Sequence, residues 1–158
     1  MSKWRFTGFW VLAVGWVAMM LATGVPAWAA LGGNSASIQA DQIHMQGIRR
    51  TTAAQSYTVN EIQATSGTVR EYASTSGTVF AVSWHGPWMP DMRQLLGSYF
   101  DQYVQAAKAQ SVARRGRRPL LITQPGLTVQ LGGHSRSFAG RAYVPEMLPQ
   151  GVRTEDIQ

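Results

Sequence analysis

The chain has 158 residues, no cysteine, and 14 lysine and arginine residues against 8 aspartate and glutamate residues, which gives a net charge of +6. This length suits one domain with a single core, and without cysteine that core cannot depend on disulfides. The lack of cysteine also excludes a thiol nucleophile.

Residues 1–29 have the pattern of a secretory signal peptide. A short basic start precedes an apolar run over residues 10–22, and residues 27–29 form a small-x-small cleavage site. The apolar run is shorter than the roughly 20 residues that a membrane-spanning helix needs. We therefore expect cleavage near Ala29-Ala30 and a periplasmic or secreted mature chain.

The net charge of the mature chain weakly favours anionic partners. Without residues 1–29 the chain keeps 12 basic and 8 acidic residues, a net charge of +4. Phospholipid head groups, lipopolysaccharide and acidic polymers are therefore candidate partners. Nucleic acid is not an expected partner, because exported proteins rarely meet it.

A short helix is predicted at the start of the mature domain. It covers residues 35–46 and ends at Gly47, since glycine is a natural helix stop. Its apolar stripe is thin. Residues 49–52, which follow, are predicted to be a loop or the start of a strand.

A three-stranded antiparallel meander is predicted over residues 57–84. Ser-Gly pairs at positions 66–67 and 76–77 are turn signals between β-prone runs. The third run, residues 79–84, is apolar at nearly every position. Such a strand is typically central in its sheet and covered on both faces.

One long amphipathic helix is predicted after the meander. Residues 85–90 contain two prolines and a glycine, so the strand cannot continue, and Asp91 is a suitable N-cap. Apolar residues then recur at spacings of three and four over more than four turns, which predicts a helix packed across the meander. These apolar residues are Met92, Leu95, Leu96, Tyr99, Phe100, Tyr103, Val104 and Ala107.

The last part of the chain is predicted to form a β-hairpin. Residues 120–123 are compatible with a short strand, and residues 127–131 alternate as a half-buried strand. Gly132-Gly133 is a two-residue turn signal, and residues 135–144 form the return strand.

These elements predict an α+β fold. An antiparallel sheet, consisting of the three-stranded meander plus the C-terminal hairpin, packs against one long amphipathic helix. A single domain covers residues 30–150. Residues 151–158 follow as a flexible C-terminal tail.

An arginine run is the strongest charge feature of the sequence. One interpretation is an anion-binding loop for phosphate, anionic lipid or polysaccharide. The other is a solvated loop after a helix C-terminus, where positive charge suits the helix dipole. The run consists of Arg114, Arg115, Arg117 and Arg118.

Catalytic and metal-binding patterns are not found in the sequence. None of the three histidines has another metal ligand at a suitable spacing, and no Gly-x-Ser-x-Gly elbow is present. A small hydrolase would require His85 or His134 to meet a carboxylate and a serine in space. We predict no catalytic residue, no metal and no cofactor.

Five residues in or beside predicted connections are candidates for ligand or partner contact. Polar and aromatic residues near turns often carry function. Trp88 lies in the proline-rich connection, outside the predicted core stripe. The candidates are Trp88, Arg93, His134, Arg136 and Arg141.

Four blocks of sequence span essentially the whole mature chain, at residues 30–33, 80–87, 90–100 and 132–142. They resemble an uncharacterised family of exported proteobacterial proteins, which have one small domain behind a signal peptide. The resemblance implies export and a single domain. It transfers no catalytic residue, because that family has none assigned.

The hypothesis that follows is a non-catalytic envelope protein. It would bind or assist another exported protein. The alternative is a surface binder of anionic lipid or polysaccharide that uses the arginine run, and a small hydrolase is the third hypothesis.

Overall fold

The computed structural model describes residues 31–113 and 119–158. The predicted signal peptide, its cleavage site and the arginine run at 114–118 lie outside the described residues. The helices are Ser35–Met45 (α1), Met92–Leu96 (α2) and Phe100–Ala113 (α3). The strands are Ile48–Ala53 (β1), Tyr57–Ala64 (β2), Gly67–Ser74 (β3), Val79–Gly86 (β4), Leu120–Gln124 (β5), Leu127–His134 (β6) and Ser137–Tyr143 (β7).

The seven strands form one antiparallel sheet in the order β1-β2-β3-β4-β7-β6-β5. The α+β class is therefore confirmed, but the sheet is larger than a three-stranded meander plus a hairpin. Pairing of β7 with β4 joins the two predicted parts. The strands β1 and β5 extend the sheet at its two edges.

The strand β4 is central, as its continuous apolar pattern predicts. Seven of its eight residues are buried, and His85 is the exposed one. The helices cover one face of the sheet, called here the helix face, and the C-terminal segment covers part of the opposite, outer face. A β-bulge opposite Tyr72 and Ala73 directs Phe80 to the outer face, whereas Val79 and Val82 face the helices.

The predicted long helix is interrupted. Gly97 follows α2 with a φ of 50°, a conformation that favours glycine, and its N–H donates to the carbonyl of Arg93. A 3-10 turn over Gly97–Tyr99 then leads into α3. The apolar residues stay on the helix face on both sides of the break, because Leu95 and Leu96 are fully buried and Tyr99 packs against the same core.

Two hairpin turns lie one to three residues from their predicted positions. The pairing of Ala64 with Gly67 places the β2–β3 turn at residues 65–66. The pairing of His134 with Ser137 places the β6–β7 turn at residues 135–136. Gly132-Gly133 therefore lies inside β6, where a Cβ atom on Gly133 would sit 2.0 Å from the carbonyl oxygen of Ser137.

The C-terminal segment packs on the outer face of the sheet, which differs from the flexible tail that its composition predicts. Ile157 is 1 % exposed and packs with Tyr72 and Phe80. The backbone oxygen of Gln158 accepts hydrogen bonds from the Tyr72 hydroxyl at 2.7 Å and the Ser83 hydroxyl at 2.8 Å. Contacts far apart in sequence hold this segment, and local patterns do not reveal them.

Candidate partner-binding surface

Trp88 lies in the connection that follows β4 and is 65 % exposed. Its neighbour Met89 is 42 % exposed. Pro87 and Pro90 flank the pair and prevent this stretch from joining a helix or a strand. Trp88 also lines a small cleft together with Met45 and Pro90.

The connection is held against the β2–β3 turn by two glycines. A Cβ atom on Gly86 would sit 2.6 Å from the Cα of Gly67, and a Cβ atom on Gly67 would sit 2.6 Å from the carbonyl oxygen of His85. No real side chain fits these spaces. The close approach fixes where the connection leaves the sheet, and therefore where Trp88 is presented.

The β6–β7 turn lies at this same end of the sheet. The pairing of Gly86 with Phe138, and of Phe138 with Gly133, places the end of β4 beside that turn. His134 and Arg136 are exposed there, and Arg136 adopts a φ of 65° within the turn. Three of the five candidate residues thus share one end of the sheet, called here the turn end.

Two further apolar side chains are exposed at the turn end. Ile48, the first residue of β1, pairs with Gln63 beside the β2–β3 turn and is 80 % exposed. Ile43, in the last turn of α1, is 70 % exposed. The opposite end of the sheet differs: the residues in its β3–β4 turn, at positions 75–77, are threonine, serine and glycine.

Arg93 lies apart from the turn-end residues, on α2. Its guanidinium carbon is 4.3 Å from the centre of the Phe100 ring, in a cation–π contact. The side chain thereby joins α2 to the start of α3 across the break at Gly97. The predicted contact role of Arg93 stays a prediction, and the structure gives this residue an intramolecular partner.

Arg141 also lies apart, on the outer face of β7. Its Nε donates to the Gln130 side chain at 2.8 Å, and its Nη1 donates to the carbonyl oxygens of Thr154 and Ile157. These bonds anchor the C-terminal segment. The structure thus assigns Arg141 an internal role, and its predicted role in partner contact stays a prediction.

An open groove of about 370 Å³ lies on the outer face over β4, β7 and β6. Its floor is formed by Gly132 and Ala139, which leave room because they have small side chains or none. Ile157 and Gln158 form one wall, so the docked C-terminal segment bounds the groove. Pro119, the first described residue after the arginine run, lies at its rim.

A pair of buried carboxyl groups on the helix face was missed by sequence reasoning. Asp41 of α1 and Glu71 of β3 are both 0 % exposed. The amide nitrogen of Gln94, on α2, donates to Asp41 Oδ1. The other three carboxyl oxygens of the pair find no hydrogen-bond donor outside the pair among the described residues. They are Asp41 Oδ2 and both Oε atoms of Glu71. Two adjacent buried carboxylates without a cation are unstable, so the pair holds a proton.

The pKa of Glu71 is raised to about 9, mainly by burial and also by the hydrogen bond with Asp41 and the negative charge of Asp41. The Arg49 guanidinium opposes this rise. Burial also raises the pKa of Asp41, whereas its hydrogen bonds with Glu71 and Gln94 act against that rise. A hydrogen bond between Asp41 and the protonated Glu71 therefore connects α1 to the sheet at neutral pH.

A signal for this pair was present in the sequence. Asp41 occupies the core position between Ile38 and Met45 at helical spacing, and Glu71 occupies the core position between Val69 and Ala73 in β3. A charged residue at a core-facing position is unusual unless it has a buried partner. Which two such positions meet depends on how α1 lies on the sheet, and that is a tertiary property.

The histidines do not form the arrangement that a hydrolase would need. His134 Nδ1 is 3.1 Å from the backbone oxygen of Ser135, and neither His134 nor His85 hydrogen-bonds a carboxylate within the described chain. Over residues 31–113 and 119–158, no group of three histidine, aspartate or glutamate residues is arranged to hold a metal ion.

The comparison with protein families gives one match. A family described as "Protein of unknown function (DUF2844)" matches residues 27–157. No curated protein and no solved structure matches the chain. None of the helices in the described part of the chain has the length and apolar character needed to cross a membrane.

Proposed function

We propose that this chain, which belongs to the family of proteins of unknown function (DUF2844), is an exported, non-catalytic binding module. It docks another exported protein through the turn end of its sheet. The observation that carries the proposal is the 65 % exposure of Trp88 on a connection whose position is fixed by close backbone packing.

The chemistry of the turn end suits a protein partner. Trp88 and Met89 offer a large apolar contact that is costly to leave in water. Tryptophan, methionine and arginine are enriched in protein interfaces, and tryptophan and arginine dominate their binding energy. His134 and Arg136 add polar groups at the same end of the sheet. An apolar centre with a polar rim is the usual layout of such a surface.

Export is supported by where the domain begins. The family match starts at residue 27, within the predicted cleavage site. Leu31 is 2 % exposed, and its N–H donates to the carbonyl of Leu95 at 3.1 Å. Leu31, the second residue after the predicted cleavage point, is thus already part of the packed domain.

Site-specific photo-crosslinking in cells tests the docking surface. A photoreactive phenylalanine analogue replaces Trp88 in one strain and Leu121, which is 53 % exposed on the edge strand β5, in a matched control. We expect one protein adduct from position 88 and none from position 121. Equal adduct patterns at both positions, or no adduct at position 88, would contradict the proposal.

A substitution at the same position measures how much Trp88 contributes to binding. Once the partner is known, Trp88→Ala is expected to weaken its binding about 100-fold, as for a central interface tryptophan, while leaving the melting temperature unchanged. In the crosslinking experiment, adducts with anionic lipid or polysaccharide instead of protein would favour the alternative that depends on the arginine run.

Intact mass measurement of the chain from a periplasmic extract tests export, with a mature chain beginning at Ala30 as the expected result.

A further inference from the structure

The rest of the fold covers the two edges of the sheet to different extents. At the β5 edge, α3 runs alongside the strand. The side-chain amide of Gln110 donates to the carbonyl oxygen of Leu121 at 2.8 Å, and that of Gln102 donates to the carbonyl oxygen of Pro125 at 2.9 Å. The backbone of this edge strand is therefore partly engaged by a helix, which is one way in which proteins protect sheet edges.

The β1 edge has no comparable cover among the described residues. All six of its residues are exposed, and β2 is its neighbour on one side only. The Ala54 N–H donates to the Tyr57 carbonyl at 2.8 Å, which identifies this pair as hydrogen-bonded. Since hydrogen-bonded pairs alternate in an antiparallel ladder, Arg49, Thr51 and Ala53 direct their backbone groups away from the sheet.

We infer that the β1 edge is a second docking site, which accepts an extended, acidic segment of a partner protein as an added strand. Strand addition gives affinity through backbone hydrogen bonds and selectivity through the side chains that flank them. The site is separate from the Trp88 connection, and the inference does not depend on the proposed function.

The positive charge of β1 determines which kind of strand can pair with it. The strand carries Arg49 and Arg50 and no acidic residue. Glu61, which lies opposite Arg50 on β2, is partly buried and is already ion-paired with Arg70 at 2.7 Å. A second copy of the chain would bring two more arginines to the same edge, and like charges across paired strands are destabilising. Arg49 and Arg50 lie on opposite faces of the sheet, because neighbouring side chains alternate along a strand. A strand with acidic residues on one face would instead place carboxylates against one of the two guanidinium groups.

Peptide binding to the purified mature chain tests this site. The probe is a synthetic peptide of alternating valine and glutamate, and the matched peptide has lysine in place of glutamate. We expect the glutamate peptide to bind, to bind more weakly as salt increases, and to bind at least about tenfold more tightly than the lysine peptide. Equal affinity for both peptides would overturn the inference.

A pair of substitutions at one position tests the role of the backbone. Thr51→Pro removes an outward N–H, whereas Thr51→Ala keeps it, and both variants lose the hydrogen bond from Thr51 Oγ1 to Asn60. Proline is expected to weaken peptide binding at least about tenfold and alanine less than about twofold. Equal effects of the two substitutions would contradict strand addition.

Two further measurements keep the inference testable if the proline variant does not fold. Replacing Arg49 and Arg50 together by glutamine is expected to abolish the preference for the glutamate peptide, and a retained preference would contradict the charge argument. Sedimentation of the unliganded chain tests self-pairing, and a stable dimer would identify a second copy as the occupant. Trp88→Ala is expected to leave peptide binding unchanged, so failure at one site is distinguishable from failure at the other.

Discussion

The two faces of the sheet are covered by different means. On the helix face, apolar residues of α1, α2 and α3 pack on the strands, and residues such as Leu96 and Val82 are 0 % exposed. On the outer face, a short segment supplies one deeply buried side chain, Ile157, and is held by hydrogen bonds from Arg141 and its neighbours. The helix face is therefore stabilised mainly by the burial of apolar side chains, whereas a few hydrogen bonds hold the segment that covers the outer face.

The largest expected effect is a core truncation on the helix face. Leu96→Ala removes a fully buried side chain and should lower the free energy of unfolding by about 3 kcal/mol, because a cavity remains. Leu121→Ala, at an exposed position, is the control and should change it by less than about 0.5 kcal/mol. Denaturant unfolding measures both. A loss below about 1 kcal/mol for Leu96→Ala would mean that the two faces do not differ as described.

The buried acid pair gives the helix face a pH dependence. The folded state holds the Glu71 proton up to about pH 9, whereas the carboxyl of the unfolded chain releases it near its ordinary pKa of 4.5. The free energy of unfolding should therefore be highest below about pH 4.5, as far as this group is concerned. It should fall as pH rises to about 9, by at most about 1.4 kcal/mol per pH unit.

Glu71→Gln tests this dependence. The variant should show a flatter stability profile between pH 5 and pH 9 and should be more stable than the natural chain at pH 8 by about 1–3 kcal/mol. Glu146→Gln, at an exposed position on the chain surface, is the control. Parallel stability profiles for the natural chain and Glu71→Gln would show that the pair is not protonated.

The smallest expected effect lies on the outer face. Arg141→Met keeps apolar volume but removes the anchoring hydrogen bonds, and it should cost about 1 kcal/mol. Hydrogen exchange should accelerate at the Ile157 amide, while the Val82 amide on β4 should keep its protection. Equal acceleration at both amides would show that the C-terminal segment and the central strand unfold together.

The sequence predicts the helix face better than the outer face. The continuous apolar run of β4 and the helical spacing of Leu95 and Leu96 are local patterns, and both predictions are confirmed. The break at Gly97 escaped prediction because the apolar spacing continues across it, and one glycine in a helical pattern is often tolerated. Nothing local marks Ile157 as a core residue, since the other buried members of its cluster lie more than 70 positions away in the chain.

The candidate site was predicted in part. An aromatic residue between two prolines indicated Trp88, and its exposure agrees with a residue outside the core. The glycine pair at 132–133 was wrongly interpreted as a turn; it lies inside β6, where the close approach of the neighbouring strand requires glycine at position 133. The acid pair could not be predicted, because a hydrogen bond between Asp41 and Glu71 depends on the angle at which α1 crosses the sheet.

The different exposure of Trp84 and Trp88 should be visible in the fluorescence of the protein. They are the two tryptophans of the described chain, four residues apart, and they are 4 % and 65 % exposed. Trp84 should emit at short wavelength and resist quenching by iodide, whereas Trp88 should emit at long wavelength and be quenched readily. One fluorescence spectrum therefore reports separately on the interior of the fold and on the surface proposed to meet a partner, without any added label.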